Sequence, residues 1–240
     1  MDLALIVNRI SEGIVSVDRT TKIVNQNKHG ENYLPGIVTL YEPQFAKELM
    51  EWWKKSYSSD FQNIKNISTN YPYPNSTRTF CDIVFSSDNN FSDPEWAIEI
   101  KKIAFVGDNG KNNDYGPSKL LSPYLKDRSL SHDVAKLNAE KIARKKAVIG
   151  YGFNYSPASL MKNLSIHPSE NVRINNAIKV CKSAGMPDSE LHLEPLIEAA
   201  DFLVQRMNIT NPVIQKIFAG ANRHPLGGDG LIFAWELKSY

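Results

Sequence analysis

Three ionisable residues lie on two β-prone segments that only a short loop separates. Asp82 belongs to TRTFCDIVFSS, and Glu99 and Lys101 belong to EWAIEIKKIAFVG. Alternate residues of a strand point to the same face, so Glu99 and Lys101 share a face while Ile98 and Ile100 point the other way. Carboxylates are ligands that Mg²⁺ prefers, and an ammonium group can steady an attacking water molecule or the charge on a reacting phosphate. The pattern therefore predicts a metal-dependent phosphodiesterase site.

A cross-strand charge cluster on a half-exposed sheet is the alternative interpretation of the same residues. An acid-x-lysine triplet is expected by chance about twice in such a chain, and a second copy, Glu236-Leu237-Lys238, follows Asp229. The residues between Asp229 and Glu236 are too few for a hairpin, so we expect this copy to lie on a terminal edge strand with solvated charges. The 16 residues between Asp82 and Glu99 leave room for a hairpin.

The elements around Asp82 and Glu99 follow an α/β order. Pro43 and the helical spacing of Phe45, Leu49 and Trp53 predict a helix before the hairpin. A helix over SLSHDVAKLNAEKIARKK and a buried strand over AVIGYGFNY are predicted after it. The polar segment between the first of these helices and the hairpin is predicted to be a loop.

The two ends of the chain add further elements. The N-terminal segment predicts a helix to about Ile10, and ENVRINNAIKVCKSAG and PLIEAADFLVQRM predict two C-terminal helices. VIQKIFAG and LIFAWELKS predict a closing hairpin, either in the main sheet or in a small addition. We therefore predict a single α/β domain over residues 1–240, with a central mixed β-sheet flanked by helices, a core at about residues 37–155 and a C-terminal elaboration at about 156–240.

This arrangement resembles the PD-(D/E)xK nuclease superfamily, which has the restriction-endonuclease-like fold. Asp82 in FCDIVF matches the first acid of the family motif, and Glu99-Ile100-Lys101 matches its acid-x-lysine. The family also places a helix before the hairpin, and a helix and then a strand after it. The sequence departs from the family pattern at Cys81, where the motif has proline. The resemblance covers residues 37 to 155.

The resemblance implies a Mg²⁺-dependent endodeoxyribonuclease that leaves 5′-phosphate ends. Asp82, Glu99 and the carbonyl of Ile100 would hold the metal, and Lys101 would orient or activate the water. The family often adds a glutamate from its first core helix, and Glu42 or Glu48 could fill that place, with Glu48 preferred. A chain of this size without helicase or methyltransferase motifs resembles a type II restriction enzyme, which implies double-stranded DNA as substrate and a homodimer.

A polar loop after the hairpin supplies candidate DNA contacts. GDNGKNNDYGPSKLLSPYLKDR is rich in residue types that bind phosphates or base edges. We predict DNA contacts from Lys111, Lys119, Lys126 and Arg128. An ordinary solvated loop is the alternative interpretation.

Composition excludes several other classes of protein. A chain of 240 residues with a formal net charge of +2 neither demands nor rules out a polyanionic partner. Two cysteines form neither a disulfide framework nor a zinc site, and no HExxH or GxSxG motif is present. The N-terminal apolar run is too short for a membrane span, so we expect a cytoplasmic protein. Two further functions remain open: DNA repair or phage-type processing by the same fold, and a non-catalytic DNA-binding or interaction protein.

Overall fold

The structure is a computed structural model that describes residues 1–76, 78–113, 115–122, 129–184, 190–207, 209 and 211–238. Helices in this part of the chain are α1 (Leu3–Thr20), α2 (Glu42–Ser56), α3 (Tyr115–Leu121), α4 (Leu130–Ala139), α5 (Pro157–Ile166), α6 (Asn171–Ser183) and α7 (Glu194–Val204). Its strands are β1 (Asn66–Pro72), β2 (Phe80–Ser86), β3 (Pro94–Ile103), β4 (Lys145–Phe153), β5 (Ile214–Ala221) and β6 (Gly228–Leu237). Short 3₁₀ turns cover Ile37–Thr39, Ser58–Phe61 and Pro168–Glu170.

The six strands form one mixed sheet in the order β1-β2-β3-β4-β6-β5. β3 and β4 are parallel, and every other neighbouring pair is antiparallel. The predicted α/β class with a mixed sheet flanked by helices is confirmed. The hairpin formed by β2 and β3 is also confirmed, and the closing hairpin formed by β5 and β6 belongs to the main sheet.

Helix α2 begins where the sequence predicts. Pro43 occupies its first turn, and the Gln44 side chain accepts a hydrogen bond from the Tyr41 N–H at 2.9 Å. Phe45 and Leu49 are fully buried, so the apolar stripe of α2 packs onto the sheet. This packing places the N-terminal turn of α2 at the C-terminal end of β3, where the Lys102 N–H donates to Glu42 Oε1.

Helix α4 packs on the opposite face of the sheet. Ser129 caps its N-terminus by accepting a hydrogen bond from the His132 N–H at 3.3 Å. Leu130, Val134 and Leu137 are buried against the sheet in the core that also contains Val148. The larger core lies on the other face and contains the apolar sides of α1 and α2 together with Ile98 and Ile100. The sequence pattern predicted this division of β3 into two faces correctly.

Several elements differ from the prediction. α3 lies in the polar segment after the hairpin that was predicted to be a loop, and α4 ends at Ala139, before the predicted end at Lys146. α1 continues to Thr20, well beyond Ile10, because apolar residues keep their helical spacing as far as Val17, which is buried. β1 lies in the segment predicted to be a loop, and it pairs with β2 although most of its side chains are at least partly exposed. α5 occupies a segment for which no helix was predicted. β6 is an inner strand between β4 and β5, so the prediction of a terminal edge strand is wrong.

None of the helices in the described ranges is long and apolar enough to cross a membrane.

Candidate functional site

The candidate site lies where β2 and β3 separate. Their pairing ends at Ile83 and Ile98, although β3 continues to Ile103 alongside β4. Carboxylates occupy the edge of β3 that β2 leaves open. The Ile100 N–H donates to Asp82 Oδ2 at 2.6 Å, and the Lys102 N–H donates to Glu42 Oε1 at 2.9 Å. Side chains thus satisfy backbone groups that a neighbouring strand would otherwise bind.

Two carboxylates lie side by side at this point. Asp82 and Glu99 lie on adjacent strands, each next to the last paired residues Ile83 and Ile98, and the Glu99 side chain is almost completely buried. Burial raises the pKa of Asp82 well above its usual value, and the charge of Glu99 raises it further. Burial also raises the pKa of Glu99, with the charge of Asp133 adding to the effect. The pair favours a shared proton or a bound cation.

Lys101 is buried and fully paired. Its Nζ lies 2.8 Å from Asp133 Oδ2 and 3.7 Å from Glu42 Oε2. Burial alone would lower the pKa of Lys101, but the charges of Glu42 and Asp133 outweigh it and the pKa is raised. Lys101 therefore carries its charge across the whole physiological pH range.

Three residues of the site were not among the predicted site residues. Asp133 and Lys136 lie one turn apart on α4, and Lys136 Nζ contacts Asp133 Oδ1 at 3.0 Å and Glu99 Oε1 at 3.2 Å. The Tyr73 hydroxyl donates to Glu99 Oε1 at 2.5 Å, and the Lys136 ammonium lies 5.5 Å from the centre of the Tyr73 ring. We call Glu42, Asp82, Glu99, Lys101, Asp133 and Lys136 the charged cluster.

The sequence did contain one signal for Asp133. It falls within the apolar stripe of α4, between Leu130 and Leu137 and next to Val134, at a spacing that places it against the sheet. A carboxylate at such a position is buried only if a cation meets it. Tyr73 follows β1 in a polar segment, where nothing in the sequence marks it as buried.

The preference for Glu48 over Glu42 is not supported. Glu42 contacts Lys101 and the backbone of β3, whereas within the described residues no hydrogen bond or ion pair links Glu48 to the charged cluster. The two residues are six positions apart, which corresponds to about 9 Å along a helix and to different sides of it. The open edge of β3 lies at the first turn of α2, so Glu42 reaches it.

The four lysines and arginines predicted to contact DNA fall in different places. Lys119 on α3 lies at the cluster, with its Nζ 3.7 Å from Glu42 Oε1. Lys111 is exposed in the turn that follows β3. Lys126 and Arg128 lie outside the described residues. Of the described pair, Lys119 is next to the charged cluster and Lys111 is exposed to solvent.

The donor atoms at the open edge suit Mg²⁺. In the described ranges no group of three or more His, Cys, Asp or Glu side chains is arranged to hold a metal ion. Mg²⁺, however, is commonly bound by one or two carboxylates, with waters and substrate phosphates completing its shell. Asp82 and Glu99 supply two carboxylates whose pKa values are raised first by burial and then by a neighbouring carboxylate, which is Glu99 for Asp82 and Asp133 for Glu99. A divalent cation beside the pair would favour the charged form of both. The Ile100 carbonyl points to the same edge as its N–H, because both groups of a strand residue face the same neighbour.

Comparison with family models, with curated proteins and with solved structures gave no significant match.

Proposed function

We propose that this protein is a Mg²⁺-dependent endodeoxyribonuclease with a restriction-endonuclease-like core. The observation that carries the proposal is the pair of carboxylates, Asp82 and Glu99, at the point where β2 and β3 separate, next to the charged Lys101. A structural ion pair does not require two adjacent carboxylates with raised pKa values. A cation site does.

The order of elements supports the same fold. α2 precedes the β2–β3 hairpin, α4 follows it, and β4 returns parallel to β3. This is the order expected from the family resemblance. It brings residues from α2, β2, β3 and α4 to one edge of the sheet. α5, α6, α7 and the β5–β6 hairpin follow in the chain, and we assign them to the C-terminal elaboration.

The chemistry proposed is hydrolysis of a DNA phosphodiester bond. Asp82, Glu99 and the Ile100 carbonyl would hold Mg²⁺, which when bound polarises the phosphate and lowers the pKa of a bound water. A water oxygen attacks phosphorus, the bond from phosphorus to the 3′ oxygen breaks, and a 5′-phosphate and a 3′-hydroxyl remain. Because Lys101 stays protonated, it orients the water and stabilises negative charge on the phosphate and does not act as the base.

We propose duplex DNA as the substrate. The activity proposed is sequence-specific cleavage, as in type II restriction enzymes. Lys119, which lies at the edge of the charged cluster, is suitably placed for a phosphate of the same strand. Cutting both strands of a palindrome requires two sites related by a two-fold axis, so a homodimer is part of the proposal.

A non-catalytic DNA-binding or interaction protein is the second candidate. The observation that favours it is that protein groups already pair the acids: Tyr73 and Lys136 contact Glu99, and Lys101 contacts Asp133. Such pairing would stabilise a purely structural cluster. Asp82 argues against this, because it accepts a hydrogen bond from the Ile100 N–H and its neighbour is another carboxylate.

Cleavage of a long phage DNA by the purified protein, with Mg²⁺ or with EDTA, tests the proposal. The variants are Asp82→Asn and the matched Asp229→Asn, which changes the acid that precedes the second Glu-x-Lys. We expect discrete fragments with Mg²⁺ only, from the wild type and from Asp229→Asn but not from Asp82→Asn.

Each other outcome has a definite meaning. A smear that depends on Mg²⁺ and Asp82 indicates a nuclease of the same fold acting in repair or processing. Cleavage by Asp82→Asn at the wild-type rate rejects this site. If neither modified nor unmodified DNA is cut while DNA is still bound, the protein is the non-catalytic binder.

A further inference from the structure

Basic and acidic side chains alternate in a series of contacts that runs from α3 and α2, through β3, to α4. Lys119 of α3 contacts Glu42 of α2, and Glu42 contacts Lys101. From Lys101 the contacts continue through Asp133 and Lys136 of α4 to Glu99, the neighbour of Asp82. Asp133 lies in the middle of this series.

Asp133 combines two features that occur together in no other acid of the series. It forms ion pairs with two ammonium groups, Lys101 at 2.8 Å and Lys136 at 3.0 Å, one with each oxygen. Its side chain is almost completely buried, with 2% of its surface exposed. A buried carboxylate that holds two lysines at once restricts where both ammonium groups can be.

Such restriction matters for a lysine more than for most side chains. The ammonium group lies at the end of a flexible four-carbon chain, so its position is defined only by what it contacts. Lys101 projects from β3, and Glu42 is its other carboxylate partner, at the longer distance of 3.7 Å. The ion pair with Asp133 therefore fixes the position of the Lys101 ammonium group relative to Glu99.

We propose that Asp133 is a positioning residue that holds Lys101 and Lys136 on either side of the carboxylate pair. Lys136 then keeps Glu99 turned toward Asp82, and Lys101 faces the place of the reacting phosphate. This inference rests on the proposed nuclease function and assigns to α4 a role in the same site. Asp133 itself touches neither substrate nor metal.

Steady-state cleavage by Asp133→Asn and Asp133→Glu tests this role. The asparagine keeps the shape but cannot hold two cations, so kcat should fall by about 10- to 100-fold, while KM for DNA is unchanged because no DNA contact is lost. The glutamate keeps the charge and should restore part of kcat. Glu170→Gln, which removes the acid of another one-turn ion pair, with Arg173, is the matched control and should leave both constants unchanged.

A second variant guards against a loss of folding. Asp133→Asn leaves the buried ammonium group of Lys101 and the half-buried one of Lys136 without their shared anion. Asp133→Asn/Lys136→Gln removes one charge of each sign and keeps the balance. Thermal unfolding is measured for every variant. A folded double variant whose kcat is lower than that of Lys136→Gln alone, with normal KM, supports the role of Asp133, and a folded double variant with wild-type kcat overturns it.

The failure of this inference differs from the failure of the proposed function. If the wild type cuts DNA and Asp133→Asn cuts it equally fast, the positioning role is wrong and the nuclease proposal stands. If kcat and KM change together in proportion to the unfolded fraction, Asp133 is merely structural. If the wild type cuts no DNA, the nuclease function and the role of Asp133 are rejected together.

Discussion

The two Glu-x-Lys triplets of this chain lie on inner strands of the same sheet, yet their surroundings differ. Glu99 and Lys101 on β3 are almost fully buried, and Asp82 lies beside Glu99. Glu236 on β6 is only partly buried, and Lys238 is exposed. Asp229 is at the opposite end of β6, about 23 Å from Glu236 at the usual rise of a strand, and its side chain accepts a hydrogen bond from the Gly220 N–H.

The pairing of the strands accounts for the difference. β6 pairs with β4 as far as Leu237 and with β5 up to Ala234, so neighbouring strands bind its backbone groups on both sides over most of its length. β3 loses its partner β2 after Ile98, and carboxylates from β2 and α2 take over its edge. The open strand edge, and not the triplet itself, turns an acid-x-lysine into a candidate site.

Replacing Lys101 and Lys238 one at a time should give the largest difference in cleavage rate between the two triplets. Lys101→Met removes a buried ammonium group from the place where charge develops, and we expect a loss of cleavage rate of about 10²- to 10³-fold. Lys238→Met removes an exposed charge and should leave the rate unchanged. Rates of cleavage of one DNA under saturating Mg²⁺ provide the measurement, with circular dichroism as a check of folding. Equal rates for the two variants would show that the triplets do not differ in function.

Glu42 and Glu48 of α2 allow a second comparison, between a residue at the site and one on the same helix away from it. Glu42→Gln weakens a contact with Lys101 and the bond to the Lys102 N–H, and we expect a rate loss of about 10-fold. Glu48→Gln should cut DNA as the wild type does. The same cleavage assay measures both, and a slower Glu48→Gln with an unaffected Glu42→Gln would restore the preference drawn from the sequence.

Titration of a group near β6 should change the stability of the protein and not its rate of DNA cleavage. His224, in the connection between β5 and β6, is completely buried, and burial lowers its pKa to about 3. The unfolded chain binds this proton near pH 6.5 and the folded chain does not. Stability is therefore complete above about pH 6.5 and is lost as the pH falls toward 3, by roughly 2 kcal/mol at pH 5 for this group alone.

Urea unfolding at pH 8 and at pH 5 measures this effect. His224→Gln cannot titrate, so its loss of stability between the two pH values should be smaller than that of the wild type. The cleavage rate of the folded variant should match that of the wild type at pH 8. A variant with the wild-type pH dependence would show that other groups cause the loss.

Much of the fold could be predicted because its signals are local. The apolar stripes of α2 and α4 and the alternation along β3 are patterns within short segments of sequence. Such patterns indicate directly which face of a helix or strand is buried. β1 was missed because most of its side chains are at least partly exposed, so it has no apolar alternation. The position of β6 in the sheet could not be derived either, since pairing between distant strands leaves no local pattern.

The residues of the candidate site can be divided in the same way, into those that a local pattern predicts and those that only the fold brings together. The sequence by itself determined that Asp82, Glu99 and Lys101 lie on adjacent strands, with Glu99 and Lys101 on one face, because strand periodicity fixes which side chains share a face. Only the tertiary structure decided that β2 leaves β3 after Ile98, that Glu42 and not Glu48 reaches the open edge, and that Asp133 and Lys136 join from α4. These contacts depend on the distance and direction between separate elements, which hydrophobic packing of the whole chain sets and no local spacing encodes.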